Sequence, residues 1–244
     1  MVLTPIASAA AVLQLAAAAD LANCINELNR GFVKSVGAVD IKTSIGSSGN
    51  FFAQIKNGAP FDVFLSADTD YPRELAKAGL AEKATLLVYS HGQLVMWSVD
   101  PALDPGIGLR LLNDPRIQHI AIANPDMAPY GRAAKAMLQR AGIWESIKHK
   151  LVFGENIAQT AQFIETGNAQ VGFVGIGYAK AGKNSKGRTW QVPADIQPLI
   201  EQGGIVTTKG RGNLLSIKYL DFLRAEEGRS ILRKCGFVLP EARP

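Results

Sequence analysis

Histidine is scarce in this 244-residue chain, cysteine scarcer, and charge is nowhere gathered into long runs of one sign. The three histidines, His91, His119 and His149, stand far apart, and no His or Cys pair has the spacing of metal ligands. No histidine lies beside a Ser-rich turn, so a Ser-His-Asp unit that would activate a serine is not indicated. Residues 5–19 are almost wholly apolar and small, yet they fall short of the roughly 18 to 20 residues a membrane span needs. The formal charge of +5 favours anionic partners at long range, but its lysines and arginines are scattered, which argues against a nucleic-acid surface. The one basic cluster, residues 180–188, has the Gly, Asn and Ser content of a solvated loop. No internal repeat and no long Pro-rich linker divides the chain.

What is present is apolar mass: 47% of residues are hydrophobic, enough for a sizeable core and two lobes. Ala7-Ser8-Ala9 has the small-x-small form of a signal-peptidase site, so residues 1–9 read as either a secretion-signal remnant or a tail. Cys24 and Cys235 suit either one exported disulfide or two buried thiols, and their spacing does not choose.

Hydrophobic periodicity predicts a strand over 12–18, then a helix over 21–32 carrying Leu21, Ile25, Leu28 and Phe32 on one face with Asp20 as its N-cap. Strand 39–45, helix 49–57, strand 63–66 and helix 70–78 continue a βαβαβα order, which implies an α/β fold with largely parallel sheets flanked by helices. Strands 86–89 and 93–98, broken at His91-Gly92, mark a crossing into a second lobe. That lobe continues with strand 120–123, helix 130–141, strand 151–153, helix 158–166 and strand 171–174. A return strand in 198–207 and two helices in 215–234 complete the chain. Residues 10–90 with 206–244 are thus expected as a discontinuous first lobe and 91–205 as the second, joined by crossing strands.

In open α/β sheets ligands bind where strands end and helices begin. Four such junctions stand out: Ala18-Ala19-Asp20, Ser47-Ser48-Gly49, Ala128-Pro129-Tyr130-Gly131 and Glu155-Asn156-Ile157-Ala158, none with Lys, Arg or His at its centre. Each alone reads as an ordinary cap or turn. Together, two per lobe, they could hold an anion on helix N-termini and neutral donors, each helix start supplying about half a positive charge.

Several stretches resemble the periplasmic molybdate-binding proteins of ABC molybdate importers, within the type II periplasmic binding proteins. They are Gly46-Ser47-Ser48-Gly49-Asn50, QIKNGAPFDVFLSAD at 54–68, NPDMAPYG at 124–131, ENIAQT at 155–160, GFV at 172–174 and CGF at 235–237. The resemblance runs in order from about residue 12 to residue 240. It implies a two-lobed protein that closes on molybdate or tungstate, uses no metal or other cofactor, and passes its cargo to a membrane permease. It also implies a periplasmic location, a monomer and no enzymatic activity. Carried over position by position, the contacts would come from Ala19 and Asp20 at the first junction, Ser48 through its hydroxyl and N–H, Tyr130, and the N–H of Ile157 or Ala158. In one branch of the family a tyrosine just after the Gly-x-Val strand completes the shell. Gly175 stands there in this chain, which places it with the branch that has a tyrosine at position 130, while Tyr178 is expected to pack.

The departure is Asp20, where relatives usually offer Ser or Thr-Asn. At roughly 6 Å and an effective dielectric near 20, an ionised carboxylate repels each unit of ligand charge by about 3 kcal/mol, or about 6 for a dianion. Asp20 must therefore turn away, as a helix cap would, or be protonated. Two other readings stay open: a different tetrahedral oxyanion, sulfate or phosphate, on the same fold, and a dehydratase-like enzyme.

Overall fold

Small apolar side chains let the first strand lie at the heart of a sheet. In the computed structural model, which describes residues 11–180 and 187–241, β1 (Ala11–Ala18) pairs in parallel with β2 (Val39–Gly46) on one side and β3 (Val63–Ser66) on the other. β2 alternates half-buried and exposed residues, as an edge strand with one wet face should. The expected leader segment 1–9 and most of the basic tract 180–188 lie outside the described residues.

The first five-stranded sheet has the order β2-β1-β3-β10-β4, where β4 is Leu87–Gly92 and β10 is Ile200–Val206. The second has the order β7-β6-β8-β5-β9 and contains β5 (Leu94–Ser98), β6 (Ile120–Ala123), β7 (Leu151–Gly154), β8 (Val171–Gly175) and β9 (Arg188–Gln191). Each sheet has one reversed strand: β10 runs antiparallel to β3 and β4, and β5 runs antiparallel to β8 and β9. These are the strands by which the chain changes lobe, β4 into β5 and β9 into β10. Residues 91–92 and 200–205, counted with the second lobe from sequence, are hydrogen-bonded into the first sheet, so the expected break at His91-Gly92 falls inside β4.

Helices cover both faces. On one side of the first sheet α1 (Ile25–Val36), α8 (Leu214–Arg224) and α9 (Glu226–Lys234) enclose Leu13, Leu15, Phe32 and Tyr219. Phe32 stands edge-on to Tyr219 with ring centroids 4.9 Å apart, and burying such a side chain contributes about 1.5–3 kcal/mol. On the other side α2 (Ser48–Lys56) and α3 (Asp70–Lys77) cover Ala16, Phe64 and Ile205. The second core gathers β5, β6 and β8 with α4 (Pro129–Arg140), α5 (Trp144–Ile147) and α6 (Ile157–Glu165), and α7 (Ile176–Lys180) follows β8 directly.

The cysteines form a disulfide, Cys24–Cys235, with the Cα atoms 5.9 Å apart. It fastens the start of α1 to the end of α9, and closing so long a loop stabilises a fold by about 2–5 kcal/mol.

One local expectation fails. Asp20 does not cap a helix: residues Ala19–Leu21 form a 3-10 turn, and α1 starts only at Ile25. The apolar spacing through Leu21 persists because Leu21 belongs to the same core as Ile25 and Leu28, but the bonds Ala22 N–H to Ala19 O and Cys24 N–H to Leu21 O are the short-range kind. The tighter turn swings Asp20 inward, where it is 6% exposed.

Candidate functional site

The four strand-to-helix junctions meet. Ala18, Ala19 and Asp20, then Gly46, Ser47 and Ser48, then Ala128, Pro129 and Tyr130, then Asn156 and Ile157 border one small cavity, to which Ala67 adds a wall. The sequence-derived residues Ala19, Asp20, Ser48, Tyr130 and Ile157 all border it. Ala158 does not.

The second junction is built by a serine pair with divided tasks. Ser47 is the N-cap of α2, its Oγ accepting from the Asn50 N–H at 3.3 Å. Ser48 opens the helix, and its Oγ accepts from the Ala67 N–H at 3.0 Å, which fixes the hydroxyl oxygen and leaves its proton to donate. Ser48 is 1% exposed and borders the cavity, so its hydroxyl is shielded from bulk water.

At the fourth junction Asn156 caps α6, its Oδ1 accepting from the N–H groups of Ala158 at 2.9 Å and Gln159 at 3.1 Å. Between the two amides that the sequence left open, Ala158 is therefore committed to the cap. Ile157, on the cavity wall, keeps its N–H free of the cap. At the third junction Pro129 occupies the first turn of α4, where its missing N–H costs nothing, and Tyr130 follows at 3% exposure. Burial first, and the neighbouring Asp20 second, hold the Tyr130 phenol proton in place, so it is a neutral group.

Asp20 closes the first junction inside a buried polar network. Gln202 on β10 donates from Nε2 to Asp20 Oδ2 and, at 3.3 Å, to the Tyr130 hydroxyl. Ser90 on β4 donates to Gln202 Oε1 at 3.0 Å, which orients the amide. Asp20 Oδ1 has no hydrogen-bond partner. Burial pushes the Asp20 carboxyl up to about 7, against smaller downward pulls from Gln202, nearby backbone amides and Tyr130.

Contacts across the cleft hold the lobes together around the cavity. The Gly49 N–H donates to Met127 O at 2.9 Å, and a Cβ at Gly49 would sit 2.7 Å from that oxygen. Asn50 donates to Glu155 Oε1 at 2.8 Å, and the Tyr178 hydroxyl donates to Ala19 O at 2.5 Å. Arg132 on α4 forms an ion pair with Asp68, donates to the Tyr71 hydroxyl at 3.1 Å and lies over the Tyr71 ring. For Asp68, burial outweighs the attraction of Arg132, and its carboxyl is held above the usual range. Sequence reasoning missed Gln202 and Arg132, for neither sits in a recognisable motif.

None of the histidines borders the cavity: His91 exchanges backbone bonds with Val238, His119 precedes β6, and His149 lies in a short 3-10 turn. Among the described residues no group of three or more His, Cys, Asp or Glu is placed to hold a metal ion, and no helix is long and apolar enough to cross a membrane. The site can offer a guest hydroxyl and amide donors, helix starts and one neutralisable carboxyl.

Comparison with known proteins agrees with this geometry. The family described as bacterial extracellular solute-binding protein matches residues 13–238. The molybdate-binding protein ModA of Azotobacter vinelandii is 38% identical over 234 residues, 96% of this chain and 92% of that protein. That of Rhodobacter capsulatus is 38% identical over 231 residues, 95% of this chain and 90% of that protein. The solved structure of the Azotobacter vinelandii periplasmic molybdate-binding protein superposes with a TM-score of 0.88 at 30% identity, covering 94% of this chain and all of that one. The chain is a two-lobed α/β binding protein and belongs to the bacterial extracellular solute-binding protein family.

Proposed function

We propose that this chain captures molybdate or tungstate between its lobes in the periplasm and delivers it to the permease of an ABC importer. The observation that carries the reading is the convergence of three helix starts, one from the first lobe and two from the second, together with the 3-10 turn at Ala19–Leu21, on one cavity whose hydroxyl and amide donors are uncharged. Ser48 offers its hydroxyl and N–H, Tyr130 and Ile157 offer backbone N–H groups, and Ala19 with Asp20 forms the remaining wall. Converging dipoles stabilise a dianion in a dry site without a counter-ion that would slow release. The names of the relatives support this choice of cargo, and the absence of a histidine at the cavity supports capture over catalysis.

Capture follows from linkage. A guest that contacts both lobes binds the closed form better than any open one and shifts the population towards closure. The permease then reads the closed surface.

Titration of the purified protein with molybdate, tungstate, sulfate and phosphate, followed by melting temperature, tests the reading. A ligand at about 1,000 times its Kd adds roughly 4 kcal/mol of stability. Molybdate and tungstate should raise the transition most. A shift with a small organic acid and with none of the four oxyanions would overturn the proposal.

A further inference from the structure

Asp20 borders the proposed oxyanion cavity as a carboxyl that the protein has only half satisfied. Its Oδ2 faces Gln202 Nε2, an atom that can only donate, and the Ser90 hydroxyl on Gln202 Oε1 keeps the amide turned that way. A proton on Asp20 therefore belongs on Oδ1, the buried oxygen without a partner. We infer that Asp20 is a specificity-determining hydrogen-bond donor: it takes up one proton on capture and gives the Oδ1–H to an oxygen of a fully deprotonated tetrahedral dianion. The inference rests on the proposed function, since an ionised Asp20 would repel that guest from the wall of its own site.

The surroundings favour the neutral form. Tyr130 of α4, Tyr178 of α7, Tyr89 and Ser90 of β4 and Gln202 of β10 enclose the group, and all are uncharged. Tyr89 also senses Asp68, a further negative group beyond it. On the outer side Asp20 shares a second cavity with Glu27 of α1, Lys180 of α7 and Lys234 of α9. Among the described residues no Lys, Arg or His forms an ion pair with Asp20. Burial already draws the carboxyl up to about 7 before any anion arrives, and a bound dianion raises it further.

A neutral donor at this position also sorts guests. An oxyanion that still carries a proton must place that proton against an acceptor, and a protonated Oδ1 opposes it, whereas molybdate and tungstate present acceptors only.

The test is calorimetric titration with dilute molybdate at several pH values between 6 and 9, each in two buffers of different ionisation heat. The wild-type protein should take up close to one proton per molybdate at the alkaline end, and its Kd should rise towards tenfold per pH unit above about pH 8. The variant Asp20→Asn, which keeps a donor and loses the titration, should bind with no net proton uptake and a flat profile. A wild-type Kd that is flat from pH 6 to 9 with no proton uptake would overturn the inference and leave the proposed cargo standing. The same uptake in Asp20→Asn would also overturn it. Absence of molybdate binding at every pH would instead overturn the cargo, and the inference with it. The wild-type proton count stands without the variant, should the variant not fold.

Discussion

A Cβ built on Gly92 would lie 2.3 Å from the hydroxyl oxygen of Tyr130. The tyrosine that lines the cavity from the second lobe is thus lodged against the point where the chain leaves the first, and only a glycine leaves room for it. Gly175 repeats the arrangement more gently, a Cβ there meeting the same ring at 3.2 Å. A tyrosine at 130 and a side chain at 175 compete for one space, so Gly175 makes room for the Tyr130 ring.

Replacement of Gly92 by Ala should push the Tyr130 ring out of place and disturb both the cavity wall and the Gln202 network. The fold should lose about 1–3 kcal/mol, the usual cost of forcing an extra methyl into a packed site, and molybdate binding should weaken with it. A Kd unchanged within twofold would show that the ring position does not matter to the ligand.

Ser48→Ala removes the donor that faces the cavity and the acceptor of the Ala67 N–H. Loss of a hydrogen bond to a charged, desolvated guest should cost about 1.5–3 kcal/mol of affinity. The melting temperature without ligand should also fall, because the Ala67 amide loses its partner. Binding equal to wild type would remove Ser48 from the site.

Arg132→Gln probes closure rather than contact, since Arg132 bridges to Asp68 and Tyr71 across the cleft. A partly exposed pair of this kind is worth on the order of 1 kcal/mol, so molybdate should dissociate several-fold faster with little change in association. Stopped-flow displacement reads this directly, and an unchanged dissociation rate would exclude the pair from holding the lobes shut.

Asp20 also makes ligand-free stability depend on pH, with a sign opposite to that of an ordinary salt-bridged carboxylate. Its folded value near 7 stands above the unfolded 3.8, so the folded state holds the proton longer. Stability is fully present below about pH 4 and declines as pH rises through 7, by up to ~4 kcal/mol in the limit. Compared with Asp20→Asn, the wild-type melting temperature should drop over that window and run parallel above it. Parallel curves throughout would mean that Asp20 titrates normally.

Much of this architecture is legible in the sequence. The strand-to-helix junctions at Ser48, Tyr130 and Ile157 were legible because small apolar strands ending in Gly, Ser, Pro or Asn leave little choice of local structure. The position of Asp20 was not, because a 3-10 turn and a first helical turn present the same apolar spacing through Leu21 and Ile25. Gln202 was hidden for another reason. It meets Asp20 across 182 residues only because β10 returns to the first sheet, and nothing beside it in the chain announces that. Asp68 serves its own turn, accepting from the Tyr71 N–H at 3.2 Å, and its ion pair with Arg132 depends on how the lobes meet. The short exposed strand β9 (Arg188–Gln191) has too few buried positions to show a period. Cys24 and Cys235, 211 residues apart, are paired by the packing of α1 on α9 and by no local signal.

The most direct measurement is a crystal structure grown with molybdate. The expected result is a tetrahedral anion between closed lobes, with oxygens within hydrogen-bond distance of Ser48 Oγ, the Tyr130 and Ile157 backbone N–H groups and Asp20 Oδ1. Anion density elsewhere, or a Ser48 region standing well apart from Tyr130 with molybdate bound, would contradict it.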